Sequence, residues 1–496
     1  MNATSSAQPA SQLSHPEVLR VIFGVVVAMV LAALDQTIVV TALPTIGRNL
    51  GNPSYLPWVV TAYLLSSTSV TPLYGKVSDI VGRRKTLLFA IAVFIAGSVA
   101  CALSPTLLIL IIARAVQGLG GGGLISLAQT IIADIVSPKE RSRYMIYISG
   151  VYMFASVSGP LLGGFFAEHL HWSLIFWINL PIGVLALAMT SGLLKKLPRH
   201  EKPHKLDFFG AAAMASASVA LMLALSWGGI QYPWGSFQVL GLFAISILLW
   251  LAFVWRLNTA PEPFIPPEIL KNRVVSMGTI TALLIMGTYI GITAYLPIYM
   301  ELAFGLSASQ SGLALIPFMS GTVVGAMIAG RFMAKSARYK RPAYVGLIFS
   351  VLGLGLMAVM KTSLGLFIVE VLLGGLSIGL GTVFPITTVA IQNSVMPHQM
   401  GTATGVMGFF RSLGGALIVA LFGAVLFSQL PNMGALESSS AATLKDVLAT
   451  GEIHTAFRPV FAAAAFVLAL ALMAFHQMPE KTLRTTVRPA EALVGE

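Results

Sequence analysis

Long apolar runs alternate along this chain with short polar connections that often contain Pro, Gly or Asn. An apolar run of about 20 residues crosses roughly 30 Å of hydrocarbon as an α-helix. Fourteen candidate spans can be drawn, at residues 18–43, 55–74, 86–104, 106–128, 144–167, 172–194, 208–227, 238–255, 274–300, 310–330, 342–360, 364–389, 404–428 and 457–477. The pattern predicts an all-α polytopic membrane protein, and an even number of spans places both termini on one side. The first run follows a weakly charged, Ser-rich head. No compact basic region precedes it and no A-x-A-like site follows it, so it reads as an uncleaved helix rather than a signal peptide.

Charge then decides the threading. With both termini in the cytoplasm, 24 of the 30 Lys and Arg residues fall in cytoplasmic segments. Only Arg48, Lys361, Lys445 and Arg458 lie on the opposite face, and Arg114 and Arg411 lie within spans. That asymmetry is the positive-inside signature. The formal net charge of +12 is therefore read as topology and contact with anionic lipid, not as a nucleic-acid footprint. Composition agrees, with 56% hydrophobic and only 10% charged residues. The single cysteine, Cys101, falls inside an apolar run and reads as a small core residue.

A repeat is also visible. Gly75-Lys76 is followed, eight residues after the glycine, by Arg83-Arg84-Lys85. Gly330-Arg331 is followed at the same distance by Arg338 and then Lys340-Arg341, with Ala334 at the position corresponding to Asp79. Each pattern joins the second and third spans of a six-span set if the sets are spans 1–6 and 9–14. The expected organisation is a cytoplasmic tail (1–17), a six-helix half (18–196), an inserted two-helix hairpin with its linkers (197–272), a second six-helix half (273–477) and a cytoplasmic tail (478–496). Two six-helix halves with a site between them form a transporter plan.

Several stretches carry candidate chemistry. In "GKVSDIVGRRK" (75–85), Asp79 and Arg83 are one helical turn apart and can pair, with Arg84 beside them. Gly75 and Gly82 leave room for close backbone approach. The stretch is either a solvated basic loop that sets topology or a charged latch between the two halves. Asp35 lies well inside the first span, where an ionisable group costs about 2.5–3.5 kcal/mol and is a functional candidate by default. Burial penalises the charged form of an acid, a property suited to loading and releasing protons. In "RAVQGLGGGGLISLAQ", Arg114, Gln117, Gly118 and Gly121 share one helical face, and a buried arginine needs a partner. Gly159, Pro160, Gly163 and Gly164 thin and break the fifth span, which neighbouring helices tolerate in a membrane. Glu370 lies in the outer half of the twelfth span. It heads a small, polar stripe of Gly374, Ser377, Gly381, Pro385 and Thr388, and so is a second acidic candidate. Arg411 is expected to pair with an acid or a lipid phosphate.

These stretches resemble the signature motifs of the major facilitator superfamily, in order and across about residues 18–477. "GKVSDIVGRRK" resembles its loop between helices 2 and 3, with Ile80 where many members carry a basic residue. "LAALDQTIVVTALPTI" (31–46) resembles the helix 1 signature of the fourteen-helix drug:proton antiporter branch. "SGVYMFASVSGPLLGGFF" (149–166) resembles the helix 5 motif of exporters that run as antiporters, and "HWSLIFWINLPIG" (171–183) the helix 6 signature. The usual Trp-Arg-Trp of that last motif appears as Trp172-Ser173-Leu174.

The resemblance implies alternating access in a bacterial-type plasma membrane, driven by the proton gradient without a cofactor. It implies proton coupling at Asp35 with help from Arg114, and a cavity suited to lipophilic, cationic drugs. A dedicated exporter of one metabolite, siderophore or antibiotic on the same scaffold is the alternative. An enzyme fits less well, because the buried ionisable candidates (Asp35, Arg114, Glu370 and Arg411) suit ion coupling better than a catalytic set, and a channel is disfavoured by the paired-half layout and the alternating-access motifs. Expected partners are a small-molecule substrate, protons and membrane lipids, with a periplasmic adaptor protein left open and no nucleic acid. No metal site is expected at Glu168-His169-Leu170-His171, which lacks further ligands. "GLGGGG" (118–123) lacks the Lys-Ser/Thr of a nucleotide loop.

Overall fold

The computed structural model describes residues 15–51, 55–193, 206–229, 231–336, 338–360, 365–429 and 453–485. The basic linker at 195–205, most of the external stretch 429–455 and the ends of both tails lie outside the described residues. The first helices are α1 (His15–Leu50), α2 (Pro57–Val81), α3 (Arg83–Ala102), α4 (Leu107–Ile135) and α5 (Pro138–His169). The sixth span is broken into α6 (Leu174–Trp177) and α7 (Asn179–Leu193), and a hairpin of α8 (Phe208–Trp227) and α9 (Phe237–Thr259) follows. Beyond the short α10 (Pro267–Lys271) come α11 (Arg273–Phe304), α12 (Ala308–Leu313) and α13 (Ile316–Lys335). The chain continues as α14 (Arg341–Val359), α15 (Leu366–Asn393), α16 (Met400–Ser428) and α17 (Ile453–Gln477).

Local chemistry sets many of these boundaries. Thr106, Ser137, Asp207, Ser236 and Asn272 each accept a backbone N–H in the first turn of the helix that follows, satisfying a donor that has no intrahelical partner. One residue, Gly82, separates α2 from α3, and its φ of 97° is a turn that a side chain would oppose. In the sixth span Pro181 has no N–H to return to Trp177, and the helix breaks at Ile178.

Among the described residues, thirteen helical segments are long and apolar enough to cross a membrane. The exception among the expected spans is α2, 25 residues long, whose Ser and Thr residues and charged end make it too polar for that class. Large apolar side chains such as Phe23, Phe89, Leu161, Leu248, Val345 and Phe367 stand exposed around the outside. So extensive an apolar surface belongs against lipid tails. The protein is a multi-pass membrane protein.

Packing repeats from one half of the chain to the other. α1 packs on α5 as α11 packs on α16, and α2 on α4 as α13 on α15. α3 contacts α4 and α7 as α14 contacts α15 and α17. The α8–α9 hairpin lies beside the seam where α2 meets α16. It is held there by Trp58 edge-on to Trp227 at 5.9 Å and by Met222 packed with Phe409 and Leu413.

The halves are joined at the end that carries the basic loops. Arg141, fully buried, donates to Gln392 Oε1 across the halves at 2.8 Å and to the carbonyls of Ala133 and Val136 in its own half. The chain after α17 crosses the same joint: Asn393 donates to the Thr482 carbonyl at 3.0 Å, and the Lys139 N–H donates to the Arg484 carbonyl at 3.3 Å. Between α2 and α16 the backbones touch. A Cβ on Gly75 would collide with the Gly401 carbonyl, and one on Gly401 with the Gly75 carbonyl.

Gly75→Val should therefore open this end. With Cys101 replaced by Ala and a cysteine placed at Ser412 in the interior, labelling by an impermeant maleimide from the basic-loop face should rise about tenfold, a shift equivalent to ~1.4 kcal/mol. Unchanged labelling would show that the seam does not control access.

Candidate functional site

Asp35 is completely buried, with 0% of its surface exposed, and so is its partner Arg114, at 1%. Arg114 Nη1 donates to Asp35 Oδ2 at 2.6 Å, while Oδ1 accepts from Gln117 Nε2 at 2.8 Å and Asn179 Nδ2 at 3.1 Å. The same guanidinium donates to Gln117 Oε1 at 2.6 Å and to the Val59 carbonyl at 3.0 Å, and lies over the Tyr63 ring at 4.3 Å. Ser98 Oγ closes the network, accepting from Gln117 and Asn179 and donating to the Phe176 carbonyl. Six helices thus contribute to one buried polar cluster: α1, α2, α3, α4, the short α6 through the Phe176 carbonyl, and the start of α7.

Sequence expectation put Asp35, Arg114 and Gln117 in play, and the structure brings all three into contact. Asn179 and Ser98 were not anticipated. Asn179 reaches the cluster because it starts α7 just past the break in the sixth span, and its Oδ1 has no hydrogen-bond partner among the described residues.

Glycines allow the helices to enclose this cluster. A side chain on Gly118 would collide with Ser66 and the Tyr63 carbonyl, and one on Gly121 with the Tyr63 hydroxyl, so α4 lies hard against α2. Gly159 and Gly163 make the same approach from α5 to Thr37, Ile38 and Thr41 of α1. Gly164 and Pro160 differ: Gly164 faces open space and Pro160 is exposed. Thr37, caught in this seam, donates to the Ala155 carbonyl at 2.8 Å.

The "GKVSDIVGRRK" stretch forms a second charged cluster, at the joined end. The Asp79 carboxylate accepts from the backbone N–H groups of Gly401 (3.0 Å) and Thr402 (2.7 Å), at the first turn of α16, and from the Thr402 hydroxyl (2.7 Å). A carboxylate at a helix N-terminus also meets the positive end of its dipole. Arg83 pairs with Asp79, donates to Asp134 Oδ2 at 2.8 Å and reaches the Pro397 carbonyl at 3.5 Å. Arg84 instead donates to the Ser191 carbonyl within its own half.

Between the halves is a cavity of about 230 Å³. Gln36, Thr71, Gln129 and Tyr152 line it from one side, and Tyr289, Phe384, Thr388 and Arg411 from the other. Asp35 is not among its lining residues, although its neighbour Gln36 is. Lining the cavity explains why α2 is polar for a spanning helix. Glu370 lies elsewhere, half-buried in the second turn of α15, with no described residue hydrogen-bonded to it. Its stripe divides: Ser377 and Gly381 pack tightly on α13, while Pro385 and Thr388 reach the cavity. Of the two expected partners for Arg411, an acid or a lipid phosphate, no acid pairs with it among the described residues. It donates to Thr388 Oγ1 at 2.8 Å and the Phe384 carbonyl at 3.3 Å. Among the described residues, no group of His, Cys, Asp and Glu is arranged to hold a metal ion.

A family model described as Major Facilitator Superfamily matches residues 25–419. The chain belongs to the major facilitator superfamily. Two relatives from Bacillus subtilis (strain 168) resemble it along most of its length. "Multidrug transporter protein MdtP" is 32% identical, with 88% of this chain and 83% of the relative covered. "Multidrug resistance protein 3" is 34% identical, with 87% and 83% covered. Among solved structures, that of the superfamily's proton:xylose symporter XylE superposes with a TM-score of 0.63 at 15% identity, covering 95% of this chain and 98% of that one, a likeness of fold. The protein is accordingly a superfamily transporter, not an enzyme.

Removing one charge of the buried pair leaves the other uncompensated, at a cost of about 3–5 kcal/mol. Arg114→Leu should lower stability by that amount in denaturant unfolding of the detergent-solubilised protein. The double variant with Asp35→Asn should recover much of the loss. A double variant no more stable than the single one would mean that Arg114 is held by the Val59 carbonyl and Tyr63 rather than by Asp35.

Proposed function

We propose that this transporter exports lipophilic, drug-like compounds from the cytoplasm in exchange for protons, by alternating access. The observation that carries the reading is the sealed Asp35–Arg114 pair beside, but outside, a cavity shared by both halves. Relatives named as multidrug transporters, alike over most of their length, support the choice of substrate class.

The pair suits proton coupling because its two states differ sharply in charge. Ionised, Asp35 holds Arg114, Gln117 and Asn179 together. Protonated, it no longer offers Arg114 a counter-charge, and a buried guanidinium without one is unstable where it stands. The rearrangement this forces is passed along α1, which carries Gln36 into the cavity and packs on α5 through Gly159 and Gly163. The gradient supplies roughly 1.4 kcal/mol per pH unit and about 2.3 kcal/mol per charge per 100 mV, so no cofactor is needed.

Positive-inside threading assigns the joined end to the cytoplasm, with the protein in a plasma membrane. In this arrangement the Asp79 latch, bonded to the start of α16, keeps the cytoplasmic end shut. Export requires it to break and reform in each cycle, and its charge-assisted hydrogen bonds, about 1.5–3 kcal/mol each, are weak enough for that. Glu370, half-buried and unpaired among the described residues, is the second acid available for a proton.

The test is proton release from acidified proteoliposomes, followed with a pH-sensitive dye during addition of cationic, neutral and anionic lipophiles. Wild type should collapse the pH gradient with several of them, and Asp35→Asn with none while reconstituting normally. If wild type responds to none, the dedicated single-substrate exporter becomes the better reading. Full activity in Asp35→Asn would move the proton site, with Glu370 next.

A further inference from the structure

Arg411 is the only charged residue among the described residues that line the central cavity. The other polar groups there are neutral amides and hydroxyls, including Gln36, Gln129, Thr388 and the Tyr152 phenol. The cavity's charge is therefore positive. This opposes the acid-lined cavity that recognition of lipophilic cations would call for.

Arg411 is also incompletely used by the protein. Its Nη2 donates to Thr388 and to the Phe384 carbonyl, while its Nε is buried with no hydrogen-bond partner. Both of its acceptors are uncharged. The buried carboxylate of Asp35 does not line the cavity and is committed to Arg114, Gln117 and Asn179. A guanidinium offers five N–H donors in a planar fork that fits a carboxylate or sulfonate two bonds at a time. The surroundings suit an aromatic body attached to such a group. Phe384 lies beneath the guanidinium at 5.7 Å, and Tyr289 stacks on Phe318 at 5.2 Å with 15° between the planes. The cavity volume of about 230 Å³ lies below the roughly 300–1,000 Å³ of common small-molecule sites, which favours a compact molecule.

We infer that the central cavity selects compact aromatic organic anions, and that Arg411 is the residue that binds their anionic group. This rests on the cavity being the transport site of the export reading. It changes the charge class of the substrate from the cation that the family resemblance implies. An anion would satisfy the free side of the guanidinium, and a cation would meet unscreened repulsion inside a low-dielectric space.

The test is equilibrium dialysis of the full-length purified protein with three probes that share one aromatic body: 2-naphthoate, its uncharged methyl ester and 2-naphthylmethylammonium. Wild type should bind naphthoate at least tenfold more tightly than the ammonium compound. Arg411→Gln should weaken naphthoate binding at least tenfold and leave the ester within about twofold; Arg411→Lys should retain part of the preference. Tighter binding of the ammonium compound, no preference among the three, or no naphthoate binding by wild type would each overturn the inference. So would naphthoate binding that is unchanged in a folded Arg411→Gln. The wild-type comparison decides even if both variants fail to fold. No gradient is involved, so failure of proton-coupled export would strike the export reading alone. Cation-driven proton release with no naphthoate binding would strike only this inference.

Discussion

An ionised side chain in the middle of a membrane must find its counter-charge inside the protein, and the N-terminal half of this molecule is arranged around that requirement. Asp35 and Arg114 come from helices 79 residues apart in sequence, and neither is tolerable there without the other. Their pairing draws in Gln117, Asn179 and Ser98, whose own polar groups must then be satisfied away from water. The break in the sixth span, the glycines of α4 and the close seam between α1 and α5 can all be understood as the packing that makes this dry cluster possible.

Glycine performs a different task at each interface. In α4 and α5 it removes the Cβ that would hold helices apart, so hydrogen-bonding groups meet at short range. At Gly75 and Gly401 it lets two backbones from opposite halves touch, placing Asp79 within reach of the first N–H groups of α16. At Gly82 it supplies a dihedral angle rather than space. A charged cluster at the joined end and a buried ion pair thus stand at two depths of the same half, linked through α2 and α4, with the cavity between the halves beside them.

The fold was legible because hydrocarbon imposes a length on every span and a charge bias on every connection. The expected runs coincide with long helices, and the sixth deviates where Pro181 removes a hydrogen bond. The site was legible where residues are chemically conspicuous: an aspartate, an arginine and a glutamine in apolar runs announce themselves. Ser98 and Asn179 do not, since small polar residues are common in spanning helices and nothing local marks the face they occupy. Arg141 was hidden for the opposite reason. It sits in a basic cluster that reads as topology, yet it is buried and bridges to Gln392. Arg411 and Glu370 show the limit of reading depth alone. A position along a helix says how far a charge lies from the interface, and tertiary packing says what it faces.

The segment after α17 has a consequence of its own. Residues 482–484 bond to Asn393 in one half and Lys139 in the other, at the end where the halves are joined. Residues 482–484 therefore clip the two halves together at this end, and under the export reading their bonds count only while that end is shut. By linkage, anything that loosens or tightens this clip changes the resting population of the two arrangements without touching substrate or proton. Under that reading residues 482–484, beyond the last spanning helix, become a tuning screw for the machine's bias.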